Sequence, residues 1–452
     1  MNAHDLAQWT GGQWNVLPTF PITSVTQDSR QVRLGSLYVA LRGTRHDGHA
    51  FVAAAFHTGA TAALVAEDWA PAADLADLPL LRVKDPAKAL VALAKGYRAA
   101  LKTFVVGVTG SAGKTTLKEL AAAMLSGAGQ TAATPGNLNN EVGLPLSVLA
   151  IPEEARMAVI EAGISHPGDM DPLADVLRPN AAVISCIGPA HIAFFGTEQA
   201  IAAEKGKLLT AIRKGGFAVM PATVHERATL EAACHCRVVT CALQPQEADY
   251  VGEPLAKGVV RVYHGDEPAV LLETGLCGEH NAANAVLAYA VARESGVTAA
   301  EALAGLTHFK APPMRWEVQQ VGAVQVVNDA YNANPLSMRA ALETFAGMDA
   351  PAEKVACVGD MLELGEASEA MHRQVGENAG NGPWRLLLGI GPASKALLEG
   401  AVSAGYPRSR TAWFASADEA ASEIALLVRP GDTLLLKASR GVHLEHLLTA
   451  LA

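Results

Sequence analysis

Residues 104–108 of the chain are apolar and mostly β-branched, the pattern of a strand buried on both faces. A glycine-punctuated turn follows. From Lys114 onward Leu117, Leu120, Ala121, Met124 and Leu125 fall at helical spacing on one face, with Gly127 at the position of a C-terminal cap. Similar patterning predicts further strands at 37–41, 62–66, 158–160, 181–187, 323–327, 355–358 and 433–436. Helices are predicted over 50–59, from Asp85-Pro86 through Leu90, Leu93 and Ala94, and over 277–292, where Asn281 stands at the start as a candidate N-cap. Strands alternating with helices predict an α/β protein with mostly parallel sheets. Breaks near Val83 and at Pro312-Pro313 divide it into three domains: a small α/β unit over 1–83, a central domain over 84–309 and a Rossmann-like unit over 310–452.

Composition agrees with that reading. A chain of 452 residues can bury several cores, and 50% hydrophobic with 18% charged residues is a globular balance. A net charge of −10 argues against nucleic acid as the main partner, because neutralising phosphates needs a basic surface. The start MNAHDLAQWTGG has neither the basic residues nor the apolar core of a signal peptide, and no clean apolar run reaches 18 residues. Six cysteines without framework spacing fit a reducing compartment, so a cytoplasmic monomer is expected. His225, Cys234, His235, Cys236 and Cys241 lack a second cysteine pair at matching distance, which favours free thiols over structural zinc.

The chemistry centres on Thr109, Gly110, Ser111, Ala112, Gly113, Lys114, Thr115 and Thr116, set between a strand and a helix. Glycines there let backbone N–H groups approach phosphate oxygens, and the helix dipole favours an anion. Lys114 is placed to reach the outer phosphates and Thr115 to offer a hydroxyl to Mg²⁺. The strict Walker spacing is not met, since Val108 stands where it wants glycine. Glu161 ends a buried strand, where α/β enzymes hold metals, and His191 follows another strand after Gly188-Pro189-Ala190. A glycine- and proline-bounded loop, 134–147, clusters Asn137, Asn139 and Asn140. Asp329, Tyr331, Asn332 and Asn334 lie beyond a third strand, and Lys437-Ala438-Ser439-Arg440 beyond a fourth. Asp28-Ser29-Arg30 reads equally well as a surface turn with a local salt bridge.

Together these segments resemble the Mur ligases, enzymes that build the peptide of peptidoglycan precursors, across all three domains. G-N-L-N-N-E-x-G-x-P and N-D-A-Y-N-A-N resemble most the branch of that family that adds D-alanyl-D-alanine. The resemblance implies ATP and Mg²⁺ as cofactors, with a UDP-N-acetylmuramoyl-tripeptide and D-alanyl-D-alanine as substrates. It implies ligation through an acyl phosphate, with Lys114, Glu161, His191, Lys205 and Arg315 as the catalytic set. Thr115, Glu161, His191 and a Lys205 that can be carbamylated would hold the metal. The loop 109–116 with Asn281, Arg315, Asp329, Tyr331 and Asn332 would hold the nucleotide. Ser29, Arg30 and the loop 43–49 would meet the UDP-sugar, and Asn137, Asn139, Asn140, Asn334, Lys437, Ser439 and Arg440 the remaining substrate groups. Three positions depart from the family pattern: Ser165 for asparagine, and Met314 and Ala438 each for glycine. No residue stands out as general base. Two alternatives are another ligase of the superfamily, such as a folylpolyglutamate synthase, and a nucleotide-dependent switch. The tripeptide's third residue is open between meso-diaminopimelate and L-lysine.

Overall fold

The computed structural model describes residues 1–44 and 46–451, so Arg45 of the loop 43–49 and Ala452 lie outside the described residues. Among them the backbone forms three sheets, of five, nine and six strands. The central sheet runs Val270–Glu273, Val259–Tyr263, Tyr250–Pro254, Arg237–Leu243, Phe217–Pro221, Ala181–Ile184, Phe104–Thr109, Met157–Glu161 and Thr131–Ala133. Neighbours are parallel except where Val259–Tyr263 makes antiparallel pairs at one edge. Strand Phe104–Thr109 lies between Met157–Glu161 and Ala181–Ile184, so the loop after it opens between the carboxyl ends of both neighbours. That is the crevice in which open α/β sheets bind ligands.

Helices cover both faces of this sheet. On one face the helices Lys114–Ser126 and Glu279–Glu294 bury Leu117, Leu120, Val286 and Tyr289 against Val106 and Val108. Gly107, mid-strand, faces the other layer, where an added Cβ would stand 3.0 Å from Leu177. Gly127 does end its helix, but with φ −65° and not in the left-handed cap conformation. Its purpose is close approach: a Cβ there would fall 1.9 Å from the Glu301 carbonyl, and Gly305 meets the Ala123 carbonyl the same way.

The first sheet orders Gln13–Trp14, Leu80–Val83, Ala62–Ala66, Ser36–Val39 and Ser24–Thr26, parallel apart from the first strand. Its core is continuous with the central domain: Leu37, Leu64 and Leu81 share one cluster with Leu93, Tyr97, Val105 and Ile160. Helix Pro86–Ala100 bridges them. Asp85 caps it by accepting from the Ala87 and Lys88 amides, and Pro86 fills the first turn. At its far end Arg98 is 1% exposed and donates to the Leu177 carbonyl at 2.9 Å and to Asn180 Oδ1 at 3.1 Å, with burial pulling its pKa down to about 10.

The third sheet orders Glu317–Val321, Val324–Asn328, Thr433–Lys437, Lys354–Gly359, Trp384–Ile390 and Thr411–Phe414, antiparallel only in the first pair. Elements differ from expectation in several places: the strand over 37–41 ends at Val39, and the helix over 50–59 runs Val52–Thr58 after a 3-10 turn. The strand expected over 181–187 ends at Ile184, because Ser185 and Cys186 turn to meet the loop after Thr109. The loop expected over 134–147 stops at Val142, since apolar Leu144, Leu146 and Val148 bury as helix Gly143–Leu149. Helix Glu279–Glu294 is capped by Gly278, and Asn281 sits inside its first turn, donating to the Cys277 carbonyl at 2.8 Å.

Helix Ala3–Thr10 docks on the bridging helix through Trp9, whose Cγ would lie 2.2 Å from a Cβ added at Gly96. Gly96→Ala is therefore expected to destabilise the protein by about 1–3 kcal/mol through overpacking, read as a lower thermal midpoint by circular dichroism.

Candidate active site

The loop after strand Phe104–Thr109 is held from both sides. Thr109 Oγ1 donates to the Ala162 carbonyl at 2.8 Å, while the Ser111 amide donates to the Cys186 carbonyl at 2.9 Å. Ser111 Oγ donates to the Gly188 carbonyl at 2.8 Å and accepts from the Gly188 amide at 3.0 Å. Gly110 has φ +150°, and a Cβ there would fall 1.9 Å from Ser185 Oγ, so only glycine fits. Gly113, φ +76°, leaves the loop against the Asn284 side chain and starts helix Lys114–Ser126. Lys114 donates back to the Gly110 carbonyl at 2.9 Å. It is densely surrounded by protein, and burial lowers its pKa, with the Glu161 charge opposing and the Arg315 charge adding to the fall.

Glu161 is the fixed point beside this loop. Its side chain is buried, accepting from Thr115 Oγ1 at 3.0 Å and from Asn139 Nδ2 at 2.7 Å. Its amide donates to Thr134 Oγ1 at 2.8 Å, and the fully buried Lys118 donates to the Thr134 carbonyl at 2.7 Å. Asn139 thus orients the carboxylate, whereas Asn140 Oδ1 accepts from the Gly143 amide at 2.9 Å where helix Gly143–Leu149 begins, and Asn137 is exposed.

Two cationic or titratable groups complete the cluster. Lys205 is 1% exposed and makes no hydrogen bond or ion pair among the described residues. Burial, with the charge on Lys114, drops its pKa well below the ordinary lysine value. The neighbouring Lys207 points elsewhere, bound to Asp171 at 2.8 Å and Glu204 at 2.7 Å. His191, at φ +58°, brings Nδ1 to 2.5 Å from Glu363 Oε2, close but not aligned as a hydrogen bond. Burial lowers the His191 pKa, Lys114 and Lys205 lower it further, and Glu363 resists.

The C-terminal domain closes over the loop. Asn334 caps helix Pro335–Gly347 in a capping box with Ser337, and its Nδ2 donates to the Ser111 carbonyl at 3.2 Å. Arg315 lies over the Tyr331 ring at 4.3 Å. Asp329 pairs with Lys437 at 2.8 Å and accepts from the Trp316 amide at 3.2 Å, and Lys437 also donates to the Asn332 carbonyl at 2.8 Å. The Asn332 side chain is turned to its own neighbour, accepting from the Ala333 amide at 2.9 Å. Ser439 bridges the Leu362 amide at 2.9 Å and the Ala333 carbonyl at 3.2 Å, and Arg440 is exposed. Met314 and Trp316 both have left-handed backbones, φ +57° and +56°; the first is where the family pattern has glycine.

Between the domains lies a cavity of about 240 Å³, walled by Gly113, Thr116, Asn281, Arg315, Asp329 and Lys437 among others. Ser29 and Arg30 lie away from it on the first sheet's side. Arg30 is exposed and paired with Asp28, whose carboxyl it pulls down to about 2. His225 instead pairs with Glu198 at 2.9 Å, and Cys234 faces Cys236 at 3.3 Å as free thiols. Sequence reasoning missed Asn284, legible as a second asparagine three residues after Asn281 and facing Gly113. It missed Thr134 and Lys118 as well, and it gave no role to Glu363, which lies in the family-like segment GDMLELGEAS after strand Lys354–Gly359 and meets His191 from another domain.

Three family models match the chain: the Mur ligase family catalytic domain over residues 21–98, the Mur ligase middle domain over 108–292, and the Mur ligase glutamate ligase domain over 314–440. The chain is similar to the UDP-N-acetylmuramoyl-tripeptide–D-alanyl-D-alanine ligase of Escherichia coli, 35% identical over 440 residues, covering 95% of this chain and 94% of the relative. MurF from Acinetobacter baumannii superimposes with a TM-score of 0.87 at 29% identity, covering 100% of this chain and 98% of that one. The MurF ligase of Thermotoga maritima in complex with ADP gives 0.80 at 28% identity, covering 95% and 97%.

Because a Cβ at Gly110 would fall 1.9 Å from Ser185 Oγ, Gly110→Ala is expected to destabilise the protein by about 1–3 kcal/mol through overpacking, read as a lower midpoint in urea denaturation.

Proposed function

The chain belongs to the Mur ligase family, and from that premise we propose that it joins D-alanyl-D-alanine to UDP-N-acetylmuramoyl-tripeptide at the expense of ATP. The observation that supports this most is the charge arrangement beside the loop 109–116: two lysines, the half-buried Lys114 and the buried Lys205, gather with one buried carboxylate, Glu161. Such a site is incomplete by itself and suits a polyanion with its metal.

The donor set fits Mg²⁺. Thr115 Oγ1 and Glu161 are hard oxygen donors already 3.0 Å apart, and a partnerless buried lysine is the group that carbamylation would convert from a repelling cation to an oxygen ligand. A neutral amine adds CO₂ and releases one proton; burial, with the charge on Lys114, lowers the Lys205 pKa and so favours that neutral amine. Mg²⁺, when bound, would neutralise phosphate charge and polarise the transferred group.

Lys114 and Arg315 would grip the moving phosphoryl from two domains. The tripeptide's terminal carboxylate attacks the γ-phosphorus of ATP, forming an acyl phosphate and ADP. The amine of D-alanyl-D-alanine then attacks the acyl carbon, the C–O bond to phosphate breaks, and the amine loses a proton. The Asn334–Ser111 and His191–Glu363 contacts would seal the cleft and keep water from the acyl phosphate. Asn281, Asn284 and Asp329 would line the nucleotide's place, and the first domain, through Ser29, Arg30 and the loop 43–49, would hold the UDP end. We place the domain limits near Val83, where the chain enters the helix that bridges both cores, and near Phe309, and we assign a cytoplasmic site of action; no helix among the described residues is long and apolar enough to cross a membrane.

Phosphate release from ATP should require both peptide substrates, with a pentapeptide product by mass spectrometry. Release independent of both would instead favour the nucleotide switch. Lys205→Met should reduce kcat at least 100-fold. The same variant should melt higher than the parent in CO₂-free buffer at pH 7. In the parent, the folded amine binds fewer protons than the unfolded one between its depressed pKa and the ordinary lysine value. Parent stability therefore rises with pH through that window, and the methionine variant should lose this slope.

A further inference from the structure

Outside the reaction centre, the turn between residues 440 and 446 gathers His443, Glu445 and His446, whose ligand atoms lie within 4.8 Å of one another. We propose that these three side chains form a transition-metal site, with Zn²⁺ as the fitting ion and Asp418 orienting His446.

The carboxylate carries the argument. Glu445 Oε1 is 3.0 Å from Arg440 Nη1 and 3.6 Å from His443 Nδ1, but Oε2 is buried and accepts no hydrogen bond among the described residues. An enclosed carboxylate oxygen without a donor is costly, and a cation is the usual remedy. The two imidazoles stand beside this carboxylate, His443 nearest its Oε1, with ring planes 15° apart and centroids at 5.5 Å. His446 Nδ1 is 2.9 Å from Asp418 Oδ1, which leaves Nε2 for a metal in the carboxylate–histidine–metal pattern. Ligand atoms around a tetrahedral Zn²⁺ stand about 3.3 Å apart, given Zn–N bonds of about 2.0–2.1 Å. Both histidines are roughly half exposed, so rotation about their side-chain bonds can close the gap from 4.8 Å.

Two imidazoles with one carboxylate select Zn²⁺ over Mg²⁺, which separates this site from the all-oxygen demands of the phosphate loop. The ion would also compete with the Arg440 guanidinium for Glu445. Asp418 sits on helix Ala417–Ala421 and Leu447 is buried between the elements, so the ion would pin the C-terminal helix His446–Leu451 to its neighbour.

The test is Zn²⁺ titration of the untagged full chain against a chromophoric chelator. The His443→Ala/His446→Ala variant, altered only at exposed side chains, should weaken the tightest site at least tenfold and lose the Zn²⁺-dependent rise in melting temperature. Cys234→Ser/Cys236→Ser should leave both unchanged, and Arg440→Gln should tighten binding a few-fold. Equal affinity in the parent and the double-histidine variant would overturn the site. So would loss of binding in the cysteine variant, which would move the ion to the thiols. Unchanged affinity in Arg440→Gln would overturn the shared use of Glu445.

Discussion

The buried carboxylate of Glu161 is the constraint on which the rest of the central domain depends. It ends a parallel strand, so its position follows from the sheet, and it collects a donor from each element that must converge there. Thr115 comes from helix Lys114–Ser126 and Asn139 from the asparagine loop, while Thr134 receives the strand's own amide. A charge taken out of water is tolerated only with this number of partners. Lys118 extends the arrangement outward by holding the Thr134 carbonyl from the helix interior. A change in any of these elements is therefore transmitted to the carboxylate.

Closure of the cleft rests on few contacts, each with a second structural duty. Asn334 begins a helix and also holds the Ser111 carbonyl. Leu336, in that helix's first turn, comes within reach of Gly188, where a Cβ would lie 3.2 Å away. Glu363 and His191 face each other from left-handed backbone positions, φ +64° and +58°. Such conformations cost of order 1–3 kcal/mol each and persist where surrounding structure demands them. Met314 and Trp316 add two more at the crossing between domains.

Much of this was legible in the chain. Buried parallel strands announce themselves as apolar runs, so Phe104–Thr109, Met157–Glu161 and Thr433–Lys437 and the polar residues just past them could be placed by pattern. The loop 109–116 was readable because Gly110 and Gly113 serve backbone geometry that a side chain would obstruct. Gly127 was located correctly for a different physical reason: contact with a neighbouring helix, not a left-handed cap, is what excludes a side chain there. Asn281 looked like a cap because asparagine favours that place, yet Gly278 took it and left the amide inside the first turn. Thr134 and Lys118 were out of reach, as was the pairing of Glu363 with His191, since each acquires meaning only from a residue distant in sequence.

The shared core beneath the first and central sheets bears on how such proteins can be recombined. Leu37 and Leu81 contribute to the same cluster as Leu93, Tyr97 and Ile160, and Trp9 lies across Gly96. A chimera joined in the turn after Val83 would pair one parent's sheet with another parent's bridging helix and leave two half-surfaces that never co-evolved. The exchangeable module ends instead beyond Ala100, and its far seam is the buried Arg98 that must find the Leu177 carbonyl in its new host.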